Sequence, residues 1–119
     1  MKDCLFCQIA NKKEEADIIY EDEEVIAFEN IRPLAPTHAL IIPKKHISTV
    51  NDIKKEDKEL IGHLWSVMKV VADKKNVKES GYKVAVNVGE GGGQEVFHLH
   101  YHLLGGWNSP EDRDLPNMP

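Results

Sequence analysis

Three histidines fall at alternate positions in Phe97-His98-Leu99-His100-Tyr101-His102-Leu103-Leu104. Alternate side chains of a strand share a face, so the three imidazoles would form a row with neighbours roughly 6.5–7 Å apart. Leu99, Tyr101 and Leu103 share the opposite face and can pack on a helix. Such a row has three readings. It can be a polar solvent face that uses histidine by chance. A His-x-His pair can hold a metal. A neutral imidazole, with its lone pair available near pH 7, can act as a nucleophile. Attack at phosphorus would give a phosphoramidate that water later cleaves. Directly before the row, Gly89-Glu90-Gly91-Gly92-Gly93-Gln94 carries four glycines. Glycine lets backbone N–H groups approach a phosphate closely. The loop therefore favours the phosphorus chemistry.

The two cysteines sit together as Cys4-Leu5-Phe6-Cys7. Cys-x-x-Cys can be a zinc half-site, a redox pair, or two small buried hydrophobes. A redox pair goes with a βαβ pattern, which is missing here. A structural zinc site takes four ligands, so two histidines would have to complete it. His46, after Pro43-Lys44-Lys45, and His98 are the candidates. His63 falls inside a helical stretch and is read as a surface or core residue.

The elements that must position these residues follow from the apolar pattern. Residues 3–11 read as a short helix with Leu5, Phe6 and Ile9 on one face. Residues 25–28 and 39–42 are short apolar runs that read as strands, the second stopped by Pro43. Between Lys54 and Asn76, Leu60, Ile61, Leu64, Trp65, Val67, Met68, Val71 and Ala72 recur at helical spacing. Lysines gather toward the C-terminal end of that helix, where its dipole favours them. Residues 84–88 and 96–104 read as two further strands, the last ended by Gly105-Gly106. The pattern predicts an α+β fold with the helix on one face of an antiparallel sheet. Residues 1–106 form the domain, and 107–119, with three prolines and no period, read as an extended or partly disordered tail.

The chain has 119 residues, 41% of them hydrophobic, and a net charge of −5. That is one domain with enough apolar content to fold. An acidic surface argues against binding nucleic-acid polymers. No apolar run reaches membrane-spanning length, and the start carries no apolar leader. The expected location is the cytoplasm, with no membrane partner.

The row His98-Leu99-His100-Tyr101-His102-Leu103-Leu104 resembles the signature of the histidine triad (HIT) superfamily. Pro36-Thr37-His38-Ala39-Leu40-Ile41-Ile42-Pro43-Lys44-Lys45-His46 is similar to the family's central strand, and Asn87, Gly92-Gly93-Gln94 and Gly105-Gly106 fall where the family has them. The resemblance covers nearly all of residues 4–106 and is closest to the Hint branch, the purine nucleoside phosphoramidases. It implies a five-stranded antiparallel sheet with one long helix and one short N-terminal helix, and a homodimer with a continuous ten-stranded sheet. It implies hydrolysis of a purine nucleoside monophosphate (AMP or GMP) from a leaving group such as an amine, with no organic cofactor. His100 would be the nucleophile, His102 a phosphate contact that helps protonate the amine, and His38 a supporting hydrogen-bond partner. Gly93, Gln94, Glu95 and Val96 would cradle the phosphate, and Asn87 would contact phosphate or ribose. Asn30 would lie at the ribose, Glu29 would be a further nucleotide-binding residue, and Leu5, Phe6, Ile9, Phe28 and Ile31 would form the base slot. Cys4, Cys7, His46 and His98 match a structural zinc site of some relatives.

Two positions depart from the family pattern. Asn30 stands where many relatives have a ribose-binding aspartate, and Glu95 stands where eukaryotic Hint proteins have serine. An amide offers one acceptor oxygen and two donors, so it cannot bind both ribose hydroxyls as a carboxylate does. Three other functions compete. They are a dinucleoside polyphosphate hydrolase, a non-catalytic nucleotide-binding or scaffold protein, and a metal hydrolase that uses the histidine row as ligands.

Overall fold

The computed structural model describes residues 3–114. In chain order it contains α1 (Leu5–Ala10), β1 (Ile18–Glu21), β2 (Val25–Glu29), β3 (Thr37–Pro43), α2 (Lys58–Lys74), β4 (Tyr82–Ala85), β5 (Tyr101–Gly105) and α3 (Pro110–Arg113). The five strands form one sheet in the order β1-β2-β3-β5-β4, and each neighbouring pair is antiparallel. The expected α+β architecture is therefore present.

The sheet has two differently used faces, set by the period of two along each strand. Val25, Ala27, Ala39, Ile41, Tyr101 and Leu103 pack against Leu60, Leu64, Val67, Met68 and Val71 of α2. Ile26, Phe28, Leu40 and Ile42 face the other way and bury Phe6, Ile9 and Ala10 of α1. Every residue of β3 is buried, because both of its faces are covered. Trp65 belongs to the apolar repeat of α2 yet is 48% exposed, with its ring edge-on to Tyr101. Asp57 starts α2. It is buried and accepts from Lys54 N–H and Lys45 Nζ.

Strand boundaries shift from the sequence expectation. The last strand runs 101–105 and not 96–104. Ile41 pairs with Tyr101, so continuing the ladder would set Leu99 opposite Pro43, which has no N–H to give. The Leu99 N–H instead donates to Ile47 C=O at 2.6 Å. The strand expected at 84–88 lies at 82–85. Part of the expected tail is described. Residues 110–113 form a helical turn, and Lys83 Nζ bonds the Arg113 carbonyl at 3.0 Å and lies 5.7 Å over the Trp107 ring. The expectations for Met1, Lys2 and residues 115–119 lie outside the described residues. No helix among the described residues is long and apolar enough to cross a membrane.

The tight turn between β1 and β2 is closed by Asp22. Its Oδ1 accepts from Glu24 and Val25 N–H, and its Oδ2 from the Tyr20 hydroxyl and His63 Nε2, both at 2.6 Å. Burial pushes the carboxyl up, but the Tyr20, His63 and backbone donors outweigh it and hold it well below the usual carboxylate range. A depressed folded-state value stabilises the native state above the unfolded value, near 3.9, and that stabilisation is lost as pH falls through the folded one. Asp22→Asn is expected to lower stability at pH 7 by about 1–2 kcal/mol. The gap from wild type in urea unfolding should narrow steadily below about pH 4. A gap that stays constant down to pH 3 would refute this.

Candidate active site

The residues of the histidine row separate into two jobs once the chain is folded. His100 and His102 remain neighbours, with ring centroids 5.1 Å apart. The His98 ring turns instead toward the N-terminal segment. Its Nε2 donates to the Pro43 carbonyl at 2.7 Å, and its Nδ1 lies 3.3 Å from Cys4 Sγ and 3.4 Å from Cys7 Sγ.

Each tautomer in the row follows from the partner of one ring nitrogen. His100 Nδ1 lies 2.7 Å from the His98 carbonyl, so Nδ1–H donates and Nε2 keeps the lone pair. Burial lowers the His100 proton affinity, which keeps that lone pair free. Phe6 of α1 stands edge-on to the same ring, with centroids 5.1 Å apart. His38, on β3 across from Leu104, accepts the Leu34 N–H at Nδ1 (3.0 Å). Its Nε2 therefore carries hydrogen and donates to His102 Nδ1 at 2.9 Å. His102 is left with its hydrogen on Nε2. Burial first, then the neighbouring His100 and His38, lower the His102 proton affinity to about pKa 4. It is thus a neutral hydrogen-bond donor near pH 7. Asn30 Oδ1 accepts Arg32 N–H at 2.9 Å, which leaves Nδ2 3.3 Å from His38 Nε2.

The glycine-rich loop before this row contains a 3-10 turn at Glu90–Gly92. Gly89 and Gly93 have φ of 70° and 84°, a region open to glycine at little cost. Asn87 Nδ2 donates to the Gly92 carbonyl at 2.9 Å, so its side chain shapes the loop. Gln94 is buried and bonds only to backbone. Glu95 is exposed, and Val96 packs on the α1 cluster.

Among the expected base-slot residues, Phe6, Ile9 and Phe28 are core, each 6% exposed or less. Leu5 (44%) and Ile31 (87%) are exposed. Glu29 lies with its carboxylate on the α2 side, 2.5 Å from Lys75 Nζ. Its side chain is therefore turned away from the histidines.

The sulfur and nitrogen atoms of Cys4, Cys7, His46 and His98 lie within 4.8 Å of one another. His46 Nδ1 is 3.3 Å from Cys7 Sγ. Tetrahedral zinc, with bonds near 2.3 Å to sulfur and 2.0–2.1 Å to nitrogen, sets S and N ligand atoms about 3.5 Å apart. The donor set and its spacing therefore fit a structural metal. The outer bonds of the two imidazoles, His98 Nε2 to Pro43 O and His46 Nε2 to Ser48 Oγ (3.2 Å), orient both Nδ1 atoms inward. Burial is the main cause that pushes the Cys7 thiol up to about 11, with the Cys4 side chain adding to it. A bound dication would reverse that preference. Both cysteines are free thiols. His63 is not a ligand, since it pairs with Asp22.

Fold and site together define a small α+β protein built around an imidazole row, with a thiol–imidazole cluster beside it that could hold a metal ion. The family described as "Scavenger mRNA decapping enzyme C-term binding" matches residues 3–112. A purine nucleoside phosphoramidase of Escherichia coli is 42% identical over 105 residues, 88% of each chain. A HIT family hydrolase from Legionella pneumophila superposes with a TM-score of 0.86 at 50% identity, covering 88% of this chain and 94% of that one. A histidine triad protein from Clostridium difficile gives 0.88 at 41% identity over 92% and 96%. The chain belongs to the histidine triad (HIT) family and is a hydrolase of that family.

Proposed function

We propose that the protein hydrolyses phosphoramidates of purine nucleoside 5'-monophosphates through a nucleotidyl-histidine on His100. The observation that carries this is the bond from His100 Nδ1–H to the His98 carbonyl, which leaves the Nε2 lone pair for attack. Nε2 forms a bond to phosphorus while the P–N bond to the amine breaks, and the amine leaves with that electron pair and takes up a proton from solvent water. Water then attacks phosphorus, the P–Nε2 bond breaks, and AMP or GMP departs. One difficult displacement becomes two easier ones. His102 Nε2–H, oriented by His38, donates to a phosphoryl oxygen as charge builds there. Its low proton affinity suits a hydrogen-bond donor better than a proton store for the amine. The backbone N–H groups of Glu95 and Val96 receive the phosphate, those of Gly93 and Gln94 being donated within the loop to Glu90 and Gly89; Asn30 faces the ribose, and Leu5 and Ile31 cover the base.

Cys4, Cys7, His46 and His98 would hold a zinc ion. With four protein ligands it would supply a cross-link and no open position for water. This pairing takes His98 out of the histidine row and disfavours a metal hydrolase built on that row. Free thiols suit a reducing cytoplasm. The edge strand β4 and the exposed Trp65 and Phe97 support a homodimer.

Acid-free quenching during turnover of an adenosine phosphoramidate, followed by peptide mass spectrometry, tests the reading. The expected adduct is one nucleoside monophosphate on His100. An adduct on another residue refutes the assignment, and faster AMP release from a dinucleoside tetraphosphate than from the phosphoramidate refutes the substrate class.

A further inference from the structure

In the family resemblance Gln94 is a phosphate contact, but in this structure its side chain is only 5% exposed. Its Oε1 accepts Gly89 N–H at 2.8 Å. Its Nε2 donates to the Ser48 carbonyl at 2.7 Å and to the Val96 carbonyl at 3.0 Å. A side-chain amide has two hydrogens, and both are used, so no donor is left for a phosphate. The amide instead ties together the first glycine of the loop, the residue that ends it, and an outside segment at Ser48.

That segment starts at a metal-site residue. His46 Nδ1 faces Cys7 Sγ, so its Nε2 carries hydrogen and donates to the Ser48 hydroxyl at 3.2 Å. Between the two, the Ile47 carbonyl accepts the Leu99 N–H. Residues 46–48 thus hold the glycine loop on one side and the neighbour of the nucleophile on the other. Their own position depends on the imidazole that closes the metal site.

We infer that Gln94 is a positioning residue: through Ser48 it couples the thiol–imidazole metal centre to the loop that receives the phosphate. The inference deepens the proposed function and rests on it. Coupling between two sites is reciprocal. If the metal centre sets the loop, a nucleotide on the loop must tighten the metal.

The test uses the full chain loaded with Co2+, whose thiolate charge-transfer absorption reports the Cys4 and Cys7 ligands. Excess chelator is added with and without AMP at saturation, the AMP affinity of each variant being measured by calorimetry. In wild type, AMP is expected to slow Co2+ loss by about fivefold or more. In Gln94→Ala and Ser48→Ala, AMP still binds but the slowing disappears, and Ser48→Ala also loses Co2+ faster without AMP. Equal slowing in wild type and Gln94→Ala overturns the coupling, as does no slowing in wild type that binds AMP. So does a Gln94→Ala protein that has lost AMP binding yet releases metal as wild type does, because that marks a direct phosphate contact. Should Gln94→Ala fail to fold, Ser48→Ala decides by the same comparison, since it keeps the carbonyl and lies outside the loop. A wild type that neither binds AMP nor cleaves a phosphoramidate refutes the proposed function itself, a distinguishable result.

Discussion

His100→Asn is expected to lower kcat for an adenosine phosphoramidate by at least about 10,000-fold, the scale on which loss of a covalent nucleophile acts. Asparagine is chosen because its amide can still donate to the His98 carbonyl, the bond that His100 Nδ1–H makes. It has no nitrogen lone pair to attack phosphorus, since the amide nitrogen is a donor only. Asparagine loses the edge-on contact with Phe6 but keeps the anchoring bond, so thermal unfolding should fall only modestly. His100→Ala removes both the lone pair and the anchoring bond, and it should show the same loss of turnover with a larger loss of stability. The comparison separates chemistry from scaffolding. Retention of more than a few per cent of wild-type kcat by His100→Asn would remove His100 from the nucleophile role.

Stripping the metal is the second large effect. A ligand that binds only the native state adds about 4 kcal/mol when present at 1,000 times its dissociation constant. For a chain of this size that corresponds to roughly 15 °C in Tm. Chelation of metal-loaded wild type should produce a fall of this order in urea and thermal unfolding. Cys7→Ser should start from the lower value and be indifferent to chelator. The loss should be felt at α1 first, because Cys4 and Cys7 flank Phe6, and Phe6 packs on both Phe28 and His100. Hydrogen exchange of residues 4–10 should rise on chelation, while the α2 face of the sheet, held by Leu64, Met68, Val71 and Leu103, changes little. Wild type whose unfolding midpoint is the same with and without chelator would refute a structural metal.

Much of this site is legible in the sequence because its spacing matches a backbone period. The alternation in residues 98–104 places Leu99, Tyr101 and Leu103 on the helix face, and the helical repeat within 54–76 identifies α2. The pairing of Cys4 and Cys7 with His46 and His98 is different. His46 and His98 are far apart in the chain, and without the family resemblance only elimination pointed to them. Ser48 and Leu34 carried no signal, because their roles rest on a single hydroxyl and a single N–H in loops that have no period.

The sequence by itself determined the residue types that do the chemistry, the two-faced sheet and the long helix, since these depend on local periodicity and side-chain size. Only the tertiary structure decided how the three histidines divide their work. Pro43 ends the β3 ladder and takes His98 by its carbonyl, and the His98 carbonyl in turn sets the tautomer of His100. Leu34, His38 and His102 form a second chain that leaves a hydrogen on His102 Nε2. The period of two sends the Glu29 carboxylate to Lys75, on the face away from the histidines. Tautomers and faces depend on which atom of a distant residue arrives within about 3 Å, and no spacing along the chain encodes that.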